Sequence, residues 1–239
     1  MKIATYYEEL IHQAVGACNS FEPITFCGMF DSGVGYLFTM SMLVMKNELN
    51  DAVTPLFVDL SGLTESSEIV EELSFAFSKE FSDLSSTEDY FSLTRRIENA
   101  TLTAKKKYIL VIYLGQDGGT DMRFMQFLNR LRNLLGWNFS YCIFVSSRLV
   151  LSKSYQTPLV DKVLKRNLIP VLMLDAKNSM SVLENYEERY SHIISNPMKR
   201  KICELSGGNP GVIKALYLQA IHTAGWSKPN FSDEMLFIR

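Results

Sequence analysis

Gly28 and Gly33 stand five apart in the run Cys27-Gly28-Met29-Phe30-Asp31-Ser32-Gly33-Val34-Gly35-Tyr36. That spacing belongs to a phosphate-cradling glycine loop, G-x-x-x-x-G-K-[ST], in which the lysine reaches the β- and γ-phosphates and the hydroxyl holds Mg²⁺. Here Val34 takes the lysine position and Gly35 the hydroxyl position. An isopropyl group carries no charge and a hydrogen atom ligates nothing. The frame of the loop is present and its two reactive groups are absent. Backbone N–H groups of residues 30–35, with the helix N-terminus behind them, remain as donors to an anion. Gly28, Asp31, Ser32, Gly33, Val34, Gly35 and Tyr36 are therefore the candidate nucleotide-binding residues, vestigial unless a ligand is still held.

A loop of this kind needs a strand before it and a helix after it. Pro23–Cys27 is a short apolar run that reads as a buried strand, and Tyr36–Met45 is apolar over helical length before the polar Lys46-Asn47-Glu48. Upstream, Thr5–Cys18 has helical spacing with Tyr6, Leu10, Ile11, Ala14 and Val15 on one side. Further strands are expected at Pro55–Leu60, Tyr108–Tyr113, Tyr141–Val145 and Leu168–Leu174. The run between Tyr108 and Tyr113 has no polar residue, as expected for a strand covered on both faces. Helices are expected across Ser67–Phe81, Thr87–Lys105 and Asp121–Leu135, and Ser82–Thr87 is the most loop-like stretch. Alternating strands and helices imply a parallel sheet with right-handed crossovers. Beyond Asp175 the strand signals stop, and Ser179–Ile194, Pro197–Leu205 and Pro210–Ala224 read as helices. The expectation is an α/β domain over residues 1–175, a five-stranded parallel sheet of P-loop NTPase type, with a C-terminal helical lid over 176–239.

The order of these features resembles the AAA+ and STAND ATPases, particularly the archaeal and initiator-type members, over roughly Ile24 to Gly225. In that family the third strand ends in Asp-Glu, which hold the metal and polarise water; this chain has Tyr113 and Leu114 there, with the next acid at Asp117. The fourth strand ends Phe144-Val145-Ser146-Ser147-Arg148, similar to the family's sensor strand, so the resemblance implies Arg148 near a γ-phosphate; a surface arginine after a strand is the other reading. Leu205-Ser206-Gly207-Gly208-Asn209-Pro210 resembles the lid motif, in which the proline packs near adenine, so Pro210 is an implied base contact. Local physics accounts for the same residues without a ligand. Gly207 or Gly208 ends one helix, Asn209 caps the next, and Pro210 suits its first turn.

Composition limits the rest. The 239 residues are 47% hydrophobic and 12% aromatic, enough for a packed core, and the formal charge of −2 gives no global attraction to nucleic acid or anionic membrane. The first residues lack a signal-peptide pattern, and no apolar run reaches the roughly 18 residues of a membrane span. Cys18, Cys27, Cys142 and Cys203 are dispersed, and His12, His192 and His222 lack metal-ligand spacing, so no metal site is expected. Free thiols in a reducing cytoplasm are the simplest reading of the cysteines. Asp59, closing the second strand, reads as a turn cap. Basic residues gather at Lys105–Lys107, at Arg123, Arg130 and Arg132, and at Lys199–Lys201.

Loss of the lysine, the hydroxyl and both acids together leads us to expect no catalytic residue, no resident cofactor beyond weak ATP or ADP held without Mg²⁺, and no ATP hydrolysis. The expected role is a regulatory or scaffolding subunit that meets protein partners, itself or a related ATPase subunit among them. A nucleotide-binding switch without efficient hydrolysis and an initiator-like DNA-binding module are the alternatives.

Overall fold

The computed structural model describes residues 5–29, 31–81, 89–104, 106–115, 122–153 and 156–223. They divide into two compact units, residues 5–172 and residues from 173 onward.

The first unit is a five-stranded parallel sheet in the order β2-β3-β4-β1-β5. Its strands are β1 Ile24–Gly28, β2 Val53–Asp59, β3 Lys107–Gly115, β4 Phe139–Ser146 and β5 Leu168–Val171. Helices α1 Thr5–Asn19, α2 Val34–Glu48, α3 Ser66–Ser78, α4 Tyr90–Ala104 and α5 Met122–Leu135 cover the sheet. Alternation along the central strands assigns side chains to the two faces. Tyr108, Leu110, Ile112 and Leu114 of β3, with Phe139, Tyr141, Ile143 and Val145 of β4, join one core with α3, α4 and α5. Phe144 faces the other way, stacking on Phe26 at 5.2 Å and meeting Phe38 of α2 edge-on at 5.7 Å. Burying each such aromatic contributes about 1.5–3 kcal/mol.

All five expected strands form, and the sheet is parallel as expected. The fifth is shorter than its apolar run and ends at Val171; Pro170 within it has no N–H to extend a ladder, and β5 lies at the sheet edge. In α1, Tyr7 rather than Tyr6 turns into the core, at 2% exposure. Periodicity did not reveal the short α6 Ser147–Leu151, or α7 Pro158–Val160, which continues as a π-turn over Asp161–Lys165.

The second unit holds α8 Ala176–Tyr190, α9 Asn196–Ser206 and α10 Pro210–Thr223. Its turns form as the sequence indicates. Gly207 closes α9 in the left-handed region at φ 56°, and the Asn209 Oδ1 accepts from the N–H groups of Gly211 and Val212 at the start of α10. Tyr186, Tyr190 and Tyr217 cluster between α8 and α10. Among the described residues no helix is long and apolar enough to cross a membrane, and no His/Cys/Asp/Glu cluster has metal-ligand geometry.

Candidate functional site

The glycine loop lies at the C-terminal edge of the sheet, where β1 runs between β4 and β5 and the chain leaves towards β2 at the far edge. Open α/β sheets take their ligands at such an edge. Gly28 ends β1. Asp31 at φ 55° and Gly33 at φ 90° then turn the chain into α2. Phe30 lies outside the described residues. Both motif glycines are sterically required. A β-carbon on Gly28 would lie 2.2 Å from Ser32 Oγ and 2.5 Å from a Val34 methyl, and one on Gly33 would lie 2.1 Å from the Tyr7 hydroxyl. That hydroxyl donates to the Ser32 carbonyl at 3.0 Å, so α1 holds the loop from behind. Tyr7 carries no motif spacing that would have marked it as part of the site.

The loop's donors are partly engaged. Ser32 N–H bonds to the Met29 carbonyl at 3.1 Å, and the first α2 bond runs from Leu37 N to the Gly33 carbonyl at 2.8 Å. Val34, Gly35 and Tyr36, in the first helical turn, thus have amides without an acceptor four residues back. Ser32 Oγ is buried without a hydrogen-bond partner.

The space in front of the loop is a cavity of about 60 Å³ lined by Met29, Asp31, Val34, Gly35, Tyr113, Gly115 and Ser146. Pockets that hold drug-sized ligands measure roughly 300–1,000 Å³. The lining carries one carboxylate, Asp31, and no cation. Tyr113 stands directly over Gly35, its hydroxyl 3.0 Å and its Cζ 3.3 Å from the position of a β-carbon there. Its ring stacks on Phe38 at 5.4 Å. Burial, then the Asp59 and Asp31 carboxylates, push the Tyr113 phenol above its ordinary value. The cavity thus presents a carboxylate and a phenol beside the α2 amides, with no cationic side chain in its lining.

The remaining sequence candidates fall as follows. Leu114 sits at an irregularity of the β3–β4 ladder and is fully buried in the core on the other face. Asp59 caps its turn, accepting from Ser61 N at 2.9 Å and Ser61 Oγ at 2.6 Å. Ser146 caps α6 by accepting from Arg148 N, while the Arg148 side chain is exposed and does not line the cavity. Pro210 opens α10 in the second unit. Asp117 lies outside the described residues. The four thiols are free, Cys18 and Cys142 buried and Cys27 and Cys203 half-buried.

Many of the basic residues are engaged within the chain. Lys106 pairs with Glu80 at 3.3 Å, and Lys107 sits over the Phe21 ring at 4.8 Å. Arg132 donates to the Gly136 and Phe139 carbonyls. Lys199 pairs with Glu187, and Lys201 with Glu204 at 3.7 Å.

No family model and no curated protein sequence matches the chain. Solved structures do. Cdc6p from Pyrobaculum aerophilum superposes with a TM-score of 0.68 at 12% identity, over 94% of this chain and 64% of that one. Orc1 from Aeropyrum pernix, solved in complex with DNA, gives 0.62 at 10% identity over 94% and 60%. DnaA from Aquifex aeolicus, bound to AMPPCP, gives 0.57 at 13% identity over 94% and 63%. This chain thus spans less than two thirds of each of the three. Sheet order, the glycine loop at its edge and these superpositions agree: the chain has the α/β fold of these Cdc6p, Orc1 and DnaA structures.

Proposed function

We propose that this chain is a non-hydrolysing member of its fold class that acts as a regulatory or scaffolding subunit through protein interfaces. The observation that carries the reading is the Tyr113 ring over Gly35, in a cavity of about 60 Å³ that holds a carboxylate and no cation. A hydrolytic site of this design needs a lysine and a metal against the phosphates. Here a phosphate at the loop would meet the Asp31 carboxylate, a like charge, and no lysine. The sheet and both of its packed faces stay intact around this altered site, which fits a fold kept for its surfaces.

A nucleotide-binding switch is the second reading. It draws support from the α2 amides of Val34 and Gly35, which border the cavity. A DNA-binding role, suggested by the Aeropyrum Orc1 complex, draws less, because Lys106, Lys107, Arg132, Lys199 and Lys201 all have partners within the chain.

Phosphate release and thermal shift with ATP or ADP, each with and without Mg²⁺, test the proposal. The expected result is release no higher than a mock purification and no shift at millimolar nucleotide. Turnover that disappears in Gly33→Val overturns the first part. Light scattering tests the second: self-assembly or a defined co-purifying partner is expected, and a strict monomer carrying a tightly bound small molecule overturns it.

A further inference from the structure

Away from the glycine loop, a groove of about 550 Å³ opens where the first turns of α3 and α4 meet the outer side of α5. Its size lies within the range of ligand-holding pockets. The half-buried Tyr90 gives it an apolar floor, backed by the buried Val70 and by Phe127, whose ring lies 5.5 Å from that of Tyr90. Phe91 stands at the rim, 52% exposed. The Arg130 guanidinium lies 4.8 Å from its ring centroid and the Arg95 guanidinium 5.7 Å.

A cation–π contact satisfies none of a guanidinium's five N–H donors, which remain suited to a carboxylate. Arg130 makes no ion pair among the described residues. Across the groove, Glu65 holds the N-cap position of α3, yet its side chain makes no capping bond. The neighbouring Asp89 differs, since its carboxylate accepts from Ser92 N at 2.7 Å. The groove thus offers an apolar floor with a guanidinium over an exposed ring on one wall and, on the other, a carboxylate that makes no capping bond. This mixed-sign lining, Glu65 and Asp89 with Arg123 and Arg130, gives a polyanion as many repulsive as attractive charges. It suits a segment that carries both signs around an apolar side chain.

We propose that this groove docks a short peptide segment of a partner protein. A bulky apolar side chain lies on the floor, an acidic residue near it in sequence pairs with Arg130, and a basic residue or backbone N–H faces Glu65. The proposal rests on the scaffolding reading and names the contact through which it operates.

The test is to pan a random dodecapeptide phage library against the full chain, with Arg130→Glu as the counter-target. Enriched sequences are expected to share an acidic residue within three positions of a bulky apolar one. Synthetic versions, followed by fluorescence anisotropy, should bind Arg130→Glu and Phe91→Ala at least tenfold more weakly. Exchanging the peptide's acid for lysine should recover binding to Arg130→Glu. Both substituted side chains are at the surface, and Arg130→Gln replaces Arg130→Glu if circular dichroism shows the latter misfolded. No enrichment over bare support, or peptides that bind every variant alike, overturns the proposal. Neither result bears on phosphate release, so failure of the groove and failure of the non-hydrolysing reading are separately visible.

Discussion

The Tyr113 hydroxyl and Gly35 fit each other: the oxygen lies 3.0 Å from where a β-carbon on Gly35 would stand, and the ring is held there by stacking on Phe38. The pair explains why a hydroxyl-bearing side chain is absent at position 35, since it would have to displace an aromatic ring. Gly35→Thr is expected to lower stability by about 1–3 kcal/mol in urea denaturation, as overpacking does. In a Tyr113→Phe background, which lacks the nearest atom, the cost should fall by about 0.5 kcal/mol or more. Additive costs would show that the two residues are not coupled. Val34→Lys with Gly35→Thr should give no ATP turnover, because Tyr113 remains where the metal-binding acid is needed.

Tyr7 makes the corresponding contact from behind. Its hydroxyl donates to the Ser32 carbonyl and takes the space of a Gly33 side chain. Tyr7→Phe should cost about 1 kcal/mol, the net value of a typical hydrogen bond. More specifically, it should speed amide hydrogen exchange over residues 31–36. Unchanged exchange there would mean that α1 does not hold the loop. Gly33→Ala should cost more, since φ 90° strains any β-carbon before the clash with Tyr7 is counted.

Much of this arrangement is legible in the sequence because it is local. Apolar runs bounded by polar residues place the five strands, and the Gly-Gly-Asn-Pro stretch defines the α9–α10 turn through capping physics alone. The contacts that shape the site are not local. Tyr113 meets Gly35, and Tyr7 meets Gly33, only because α2 packs on β3 and β4 and α1 packs against α2. Periodicity does separate Tyr7 from Tyr6: at about 100° per residue Tyr7 falls at the centre of the stripe set by Leu10, Ile11, Ala14 and Val15, and Tyr6 well outside it. The expectation of Tyr6 on that face is corrected by the pattern itself, while the contact with Gly33 is not visible in it. The same holds for Leu114. Its neighbour Tyr113 reaches the loop, while alternation along the strand sends Leu114 into the opposite core.

Alkaline pH should reveal Tyr141. It is 4% exposed and donates to the Val163 carbonyl at 3.2 Å; burial pushes its phenol up to about 12, against the lowering influence of Arg132 and Arg166. An unfolded tyrosine ionises near 10. The folded value is the higher one, so the folded chain keeps this proton at a pH where the unfolded chain releases it. The associated stability is complete below about pH 10 and is lost as pH rises towards 12, amounting to about 2–3 kcal/mol. Urea midpoints measured from pH 9 to 12 should fall less steeply for Tyr141→Phe than for the native chain. Parallel slopes would show that Tyr141 ionises alike in both states.

In the second unit, Lys199 Nζ lies 2.5 Å from Glu187 Oε2, with the two side chains only 11% and 9% exposed. The other Glu187 oxygen accepts from Ile194 N at 2.8 Å, so one carboxylate ties α9 and the preceding loop to α8. Removing one partner of a buried pair leaves an uncompensated charge, at a cost of about 3–5 kcal/mol. Lys199→Met should therefore be severely destabilising, with hydrogen exchange accelerated first in α8 and α9. Adding Glu187→Gln should recover part of the loss, because the amide is neutral and its oxygen still accepts from Ile194. If Lys199→Met alone costs no more than about 1 kcal/mol, the pair behaves as a solvated surface bridge. The α8–α9 junction would then be held mainly by the apolar packing around Leu183 and Ile202.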